Sequence, residues 1–254
     1  MFPIRDEIPS RRAPVVTVAI IAANVAVFLY QWTLPEDTLL SFVYRFGLVP
    51  ARISDPAWAI SVGFPSAGYS SFFTSMFLHG GLLHLVSNMW SLWIFGDNIE
   101  DRVGRGRFLL FYLVCGLAAG GVHWFIHPGS TVPTVGASGA IAGVMGGYLV
   151  LFPHSRVLTL IPLFVYPLFV HIPAFVYLGV WIVTQLFSGT MSLGQGAETG
   201  GIAFWAHVGG FFAGALLVKF LARNDPEQLP GPARHPVVNR LPPPGRWTGS
   251  YPGY

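Results

Sequence analysis

The chain has 254 residues, of which only 10% are charged and 53% are hydrophobic, with 14 Lys and Arg against 11 Asp and Glu for a formal net charge of +3. A soluble globular domain carries about 25% charge, so the composition excludes that class and predicts an all-α polytopic membrane protein. The surplus charge comes from arginines flanking apolar stretches, which argues against a nucleic-acid partner, and the lone Cys115 excludes a disulfide framework or a metal–thiolate cluster and reads as a small packing residue.

Residues 1–14 read as a short charged leader. A first span is predicted over 15–34, about the 20 apolar residues that a bilayer requires. It is too long for a signal-peptide core and lacks a small-residue cleavage site before Gln31, so it is read as a retained anchor. The connection 35–73 contains Trp58, Phe64, Tyr69, Phe72 and Phe73 and reads as an outer element lying partly in the leaflet. Further spans are predicted over 81–96, 108–126, 138–152, 173–187 and 204–221.

Between the fourth and fifth spans, the stretch from Val157 is interrupted by Pro162, Pro167 and Pro173, and its first half is read as an interfacial or kinked connection. The glycine-rich loop 188–201 fits a flexible lid as well as a plain connector. From Asn224 the chain turns polar and Pro-rich, so 223–254 is predicted to be a disordered cytoplasmic tail after a six-helix domain over 15–222. Six spans put both termini on one side. Only Arg45 and Arg52 of the basic residues then fall on the other, so both termini are predicted to be cytoplasmic.

In this orientation the second, fourth and sixth spans all begin at the outer face. His84 and Asn88, four residues apart and so on one helix face, lie near the start of the second. Ser138 opens the fourth, and His207 lies near the start of the sixth. At 1.5 Å per residue each is within about two turns of its helix end, so the four share one depth. The loop 127–135, with Pro128, Gly129 and Pro133, stops one helix before the next starts, leaving the Ser138 N–H in a first turn where donors lack intrahelical partners and anions are favoured. A lone serine or histidine in a span is more often a packing or hydrogen-bonding residue; the conjunction points to a nucleophile and its base. Gly139, Gly143 and Gly147 face this way in the fourth span, as do Ala206, Gly210 and Gly214 in the sixth. Such small-residue faces allow an approach closer than the usual 8–10 Å between axes.

These residues resemble the rhomboid family of intramembrane serine proteases. Gly136-Ala137-Ser138-Gly139 is similar to its nucleophile motif, Ala206-His207-Val208-Gly209-Gly210 to its histidine motif and His84-Leu85-Val86-Ser87-Asn88 to its HxxxN motif. Phe77-Leu78-His79-Gly80-Gly81 is similar to the family's approach to the second span, and Glu100 and Gly104 match residues found after that span in many members. The resemblance covers most of 74–217 and implies a six-transmembrane-helix bundle. It also implies a Ser–His dyad without a third carboxylate: Ser138 as nucleophile and His207 as general base and then acid. Asn88, His84 and the Ser138 N–H would hold the oxyanion. No cofactor or metal is implied. The partners implied are the lipid bilayer and a transmembrane protein substrate cut near its outer boundary. The family's fifth span and the loop after it gate the substrate, which makes Trp181 a candidate substrate contact.

The chain departs from the family in carrying Ala142 where many members have an aromatic residue that stacks on the histidine, and in lacking a Trp-Arg pair in the first outer loop. Metal-dependent intramembrane proteolysis would need HExxH, which the sequence lacks, and aspartyl proteolysis would need carboxylates on two spans, whereas Asp97 stands alone. His79, His123, His154, His171 and His235 are read as interfacial or loop residues. The alternative of another class is a rhomboid-like pseudoprotease that binds transmembrane segments without cutting them, although such members lack the serine or the histidine. A transporter is disfavoured because internal repeats and midplane acids are missing. The compact form points to a bacterial inner membrane.

Overall fold

The computed structural model describes residues 1–64, 68–163, 166–193 and 203–222. Strand β1 (Phe2–Asp6) precedes helix α1 (Val15–Thr33) and the short helices α2 (Glu36–Phe46), α3 (Pro50–Ser54), α4 (Pro56–Ser61) and α5 (Ser71–Thr74). Helices α6 (Leu82–Val103), α7 (Arg105–Ile126) and α8 (Ser138–Leu151) follow. Strands β2 (Arg156–Leu163) and β3 (Tyr166–Pro173) then lead to α9 (Ala174–Ser192) and α10 (Phe204–Leu221).

Each stretch expected to span is helical. Among the described residues four helices, α1, α7, α9 and α10, are long and apolar enough to cross a membrane by length and composition, while α8 is apolar but has 14 residues. Helix α6 runs past the expected stop at Gly96 to Val103, where Gly104 at φ +90° turns the chain directly into α7. The outward surface is apolar, with Leu83, Phe125 and Phe220 each at least 80% exposed. Water does not tolerate such a surface at this extent, and the chain is an integral membrane protein.

Helix α8 forms the centre, with every residue from Gly139 to Tyr148 buried. Its glycines admit α10 and α7. A β-carbon on Gly214 would lie 2.6 Å from the Gly143 Cα, and one on Gly143 would lie 2.6 Å from the Cys115 Sγ. Cys115 is therefore the buried packing residue that the sequence suggests. Helix α1 packs with its polar face inward: Thr17, Ile20, Asn24, Phe28 and Gln31 are buried at intervals of three or four, whereas Val18, Leu29 and Trp32 face outward. The buried Glu100 of α6 accepts from Val16 N at 3.0 Å and from Thr17 N and Thr17 Oγ1 at 2.8 Å each, supplying the cap that Pro14 cannot.

The all-α expectation is corrected by a three-stranded antiparallel sheet in the order β1-β2-β3. Arg156–Leu163 and Tyr166–Pro173 are not a kinked connection but two paired antiparallel strands, because a run of Val, Leu, Thr, Ile and Phe suits extended backbone. Pro162 and Pro167 pair opposite each other near one end of the ladder, where a missing N–H costs least. The leader is not merely a charged flank either. Phe2 to Asp6 form an edge strand whose Pro3 carbonyl accepts from Trp90 Nε1 at 2.6 Å. The Asp6 carboxylate accepts from the Tyr148 hydroxyl and from Asn98 Nδ2, each at 2.7 Å. Tyr148 lies near the C-terminal end of α8, so this anchorage sits at the opposite end of that helix from Ser138. In the connection 35–73 the described residues include short helices that carry Trp58, Phe72 and Phe73 of the expected aromatics, while Phe64 and Tyr69 lie between helices. The expected lid loop begins later than predicted, since Ser188 to Ser192 are still helical in α9; its glycines at 194–201 and the tail from Arg223 lie outside the described residues.

Candidate active site

Ser138 is the first residue of α8, and its start is set by Gly136. At φ +127° that glycine adopts a backbone that L side chains rarely take, and its N–H donates to the Ser75 carbonyl at 2.9 Å. On α10, His207 lies in the first turn, buried. The approach of the two helices is limited by backbone alone, since a β-carbon on Gly210 would lie 2.9 Å from the Gly139 carbonyl carbon and closer still to its oxygen. That approach brings His207 Nε2 to 2.8 Å from Ser138 Oγ.

Two residues of α9 complete the surroundings of His207. Gln185 Oε1 lies 2.7 Å from His207 Nδ1, and the Trp181 ring lies beside the imidazole, tilted, with centroids 5.8 Å apart and planes at 33°. Trp181 also meets Phe211, one turn along α10, at 6.0 Å. An amide oxygen only accepts, so Nδ1 carries the proton and Nε2 presents its lone pair to the Ser138 hydroxyl. This is the tautomer a general base requires.

His84 and Asn88 sit on the buried side of α6 near its start. Where a β-carbon on Gly136 would stand, His84 Nε2 is 2.8 Å away and Ser138 Oγ 3.7 Å away, so the two atoms face one gap too small for a methyl group. His84 Nδ1 accepts from Gly80 N at 3.4 Å, which leaves Nε2 as the donor facing that gap. The Asn88 amide instead donates within its own helix, to the His84 carbonyl at 3.0 Å. Beneath them His79 is buried edge-on to His84, at 5.2 Å between centroids, and burial pushes its pKa down to about 4. The loop carrying His79 is held by Gln31 of α1, which donates to the His79 carbonyl at 3.2 Å and accepts from its N–H at 3.1 Å.

Of the histidines read as interfacial or loop residues, His79 does lie in a loop, although buried, whereas the expectation is corrected at His123, which is buried within α7, 2.8 Å from Thr134 Oγ1. His154 and His171 lie in a turn and in β3, and His235 is outside the described residues. Sequence reasoning missed Gln185 altogether and assigned Trp181 to substrate. A signal was present: Gln185 is an uncharged polar residue in an apolar helix, one turn after Trp181 and on the same face.

A dyad-like Ser–His pair, held by glycine-lined helices at one end of an apolar bundle, defines a class of membrane protein rather than a soluble fold. Residues 66–224 match the Rhomboid domain, and the chain belongs to the rhomboid family. It is 29% identical over 178 residues to Rhomboid protein 1, mitochondrial, of Saccharomyces cerevisiae, covering 68% of this chain and 45% of that protein. It is 41% identical over 83 residues to Rhomboid protease GluP of Bacillus subtilis, covering 33% of this chain and 16% of that protein. Human Presenilin-associated rhomboid-like protein, mitochondrial, is 30% identical over 152 residues, covering 58% and 36%. The chain thus spans less than half the length of these relatives, which carry mitochondrial names as well as a bacterial source and do not single out the bacterial inner membrane.

Proposed function

We propose that this chain is an intramembrane serine endopeptidase that cuts transmembrane protein substrates near the outer membrane face by a Ser138–His207 dyad. The observation that carries this reading is the 2.8 Å contact between Ser138 Oγ and His207 Nε2 at the N-terminal ends of α8 and α10. In the proposed reaction the Ser138 hydroxyl gives its proton to His207 Nε2 as Oγ attacks the scissile carbonyl. The tetrahedral oxyanion is met by the Ser138 N–H and His84 Nε2. Asn88 is the third proposed donor, and its amide must turn from the His84 carbonyl to serve. His207 then protonates the leaving amine, and water resolves the acyl-enzyme by the same steps.

The reading includes six spans over residues 15–222, with α6 and α8 crossing alongside the four longer helices, and a cytoplasmic tail over 223–254. Both termini are cytoplasmic, because that orientation leaves only Arg45 and Arg52 of the basic residues outside. Labelling of detergent-purified protein with a fluorescent fluorophosphonate tests the reading against Ser138→Ala and His207→Ala. Labelling that needs both residues, and cleavage of a single-span substrate that disappears with either, is the expected result. Failure of folded wild-type protein to label would favour a pseudoprotease that binds transmembrane segments without cutting them.

A further inference from the structure

Gln185 and Trp181 lie outside the motifs that carry the family resemblance, yet both contact His207, one at Nδ1 and the other at the ring. We propose that Gln185 and Trp181 of α9 are positioning residues for His207, the amide holding the Nδ1 proton and the indole restraining the ring face, so that α9 must be seated for the base to function. The proposal rests on the reading of Ser138 as nucleophile and His207 as base.

Three observations carry it. First, His207 is buried, and its Nδ1 meets Gln185 Oε1 at 2.7 Å. Without an acceptor there, the neutral ring is free to place its proton on Nε2, where it would point at Ser138 and cancel the base. Second, the amide is itself oriented: Gln185 Nε2 donates to Thr184 Oγ1 at 3.5 Å, and Thr184 Oγ1 donates to the Trp181 carbonyl at 2.6 Å, which leaves Oε1 for the imidazole. Third, the position four residues after the serine is Ala142, too small to reach the ring, and Trp181 supplies an aromatic face from a different helix. Trp181 is backed by Phe211 at 6.0 Å, so the ring is held between the two first turns of α10 and the middle of α9.

The chemistry also explains why an amide suffices. When His207 takes the Ser138 proton it becomes an imidazolium, and the Gln185 oxygen keeps accepting from Nδ1 as a dipole opposed to the new charge, without itself being charged in the membrane. The titratable groups acting on His207 from neighbouring elements are His84 of α6 and His123 of α7, and α9 contributes none. Helix α9 has a largely outward apolar face, burying only Ala174, Tyr177, Leu178, Ile182 and Gly189. An outward shift of α9 therefore withdraws both contacts from His207 together.

The test measures fluorophosphonate labelling rate against pH, and kcat and KM on a transmembrane substrate, for wild type, Gln185→Leu, Gln185→Glu and Trp181→Phe. Gln185→Leu, similar in size but unable to accept, is expected to lower the labelling rate and kcat by about 10–100-fold with KM little changed. Gln185→Glu restores the acceptor and is expected to recover the rate while moving the acidic limb of the pH profile upward, because a carboxylate favours the imidazolium. Trp181→Phe keeps an aromatic face and is expected to stay within a few-fold of wild type. Nitrogen-15 spectra of His207 should show protonated Nδ1 in wild type and a mixture of tautomers in Gln185→Leu. Wild-type rate, pH profile and spectrum in folded Gln185→Leu would overturn the proposal while leaving Ser138 labelling intact; absence of labelling in wild type would instead overturn the reading beneath it.

Discussion

Replacing Gly210 by alanine should separate the two halves of the dyad. The new methyl carbon would stand 2.9 Å from the Gly139 carbonyl carbon and nearer still to its oxygen, and both obstacles are backbone that cannot swing away. Non-bonded carbons settle at about 3.5–4.0 Å, so α8 and α10 must part by roughly 1 Å at this level. His207 lies three residues before Gly210, and Ser138 adjoins Gly139, so the opening acts within one turn of the dyad. Added to the 2.8 Å contact it leaves Nε2 and Oγ about 3.8 Å apart, beyond hydrogen-bond reach. A misplacement of this size costs about 10²-fold in rate, and the overpacking costs about 1–3 kcal/mol in stability. The assay is the rate of fluorophosphonate labelling, with circular dichroism and size-exclusion profiles to establish folding. Gly121→Ala, where an added β-carbon meets nothing within 4 Å, serves as the control. Labelling of folded Gly210→Ala at the wild-type rate would refute the claim that backbone contact between α8 and α10 sets the dyad distance.

Gly136→Ala combines a disfavoured backbone at φ +127° with a β-carbon 2.8 Å from His84 Nε2, and should reduce labelling at least 10-fold by displacing His84 from the gap beside Ser138. Glu100→Ala removes a buried acceptor of three hydrogen bonds from the start of α1, and should lower stability by about 2–3 kcal/mol in chemical unfolding of the full chain, while dyad labelling below the unfolding transition stays near wild type. Burial, reinforced by the Asp97 carboxylate and opposed by the Tyr148 hydroxyl, raises the Asp6 pKa from 3.8 to about 6. The folded state therefore holds this proton more tightly than the unfolded one, so the stabilisation is complete below about pH 4 and is lost as pH rises through about 6. Limited proteolysis of the N-terminal strand should accordingly quicken as pH rises from about 4 to just above 6, and Asp6→Asn should flatten that dependence.

The helices were legible because each is a long apolar run bounded by glycine, proline or charge, and Ser138 and His207 because they sit in compact local motifs. The sheet was not. Its two later strands are only eight residues each, apolar and punctuated by Pro162 and Pro167, a pattern that composition cannot tell from a broken span. The partner of β1 lies more than 150 residues away, and the pairing of Phe2 with Leu160 has no local signature. Gln185 escaped for a similar reason. A single amide in an apolar helix carries no motif, and its meaning comes only from the imidazole that another helix brings to it. The end of α9 was misplaced because Ser188, Gly189 and Thr190 read as loop residues in water, whereas a membrane helix accommodates them readily.

The pairing of β1 with β2 also sets an order on biogenesis. At about 5–20 residues per second, roughly 10–30 s of synthesis separate the emergence of Phe2 from that of Leu160. During that interval α1, α6, α7 and α8 have all been made, while Pro3 and Asp6 have neither their strand partner nor, until α8 is complete, the Tyr148 hydroxyl. Residues 2–6 must wait as an open edge and then close over the finished ends of α6 and α8. Bulk inserted just ahead of β1 would obstruct the last stitch of assembly and not the first, so its damage would show in the yield of mature protein rather than in insertion of α1.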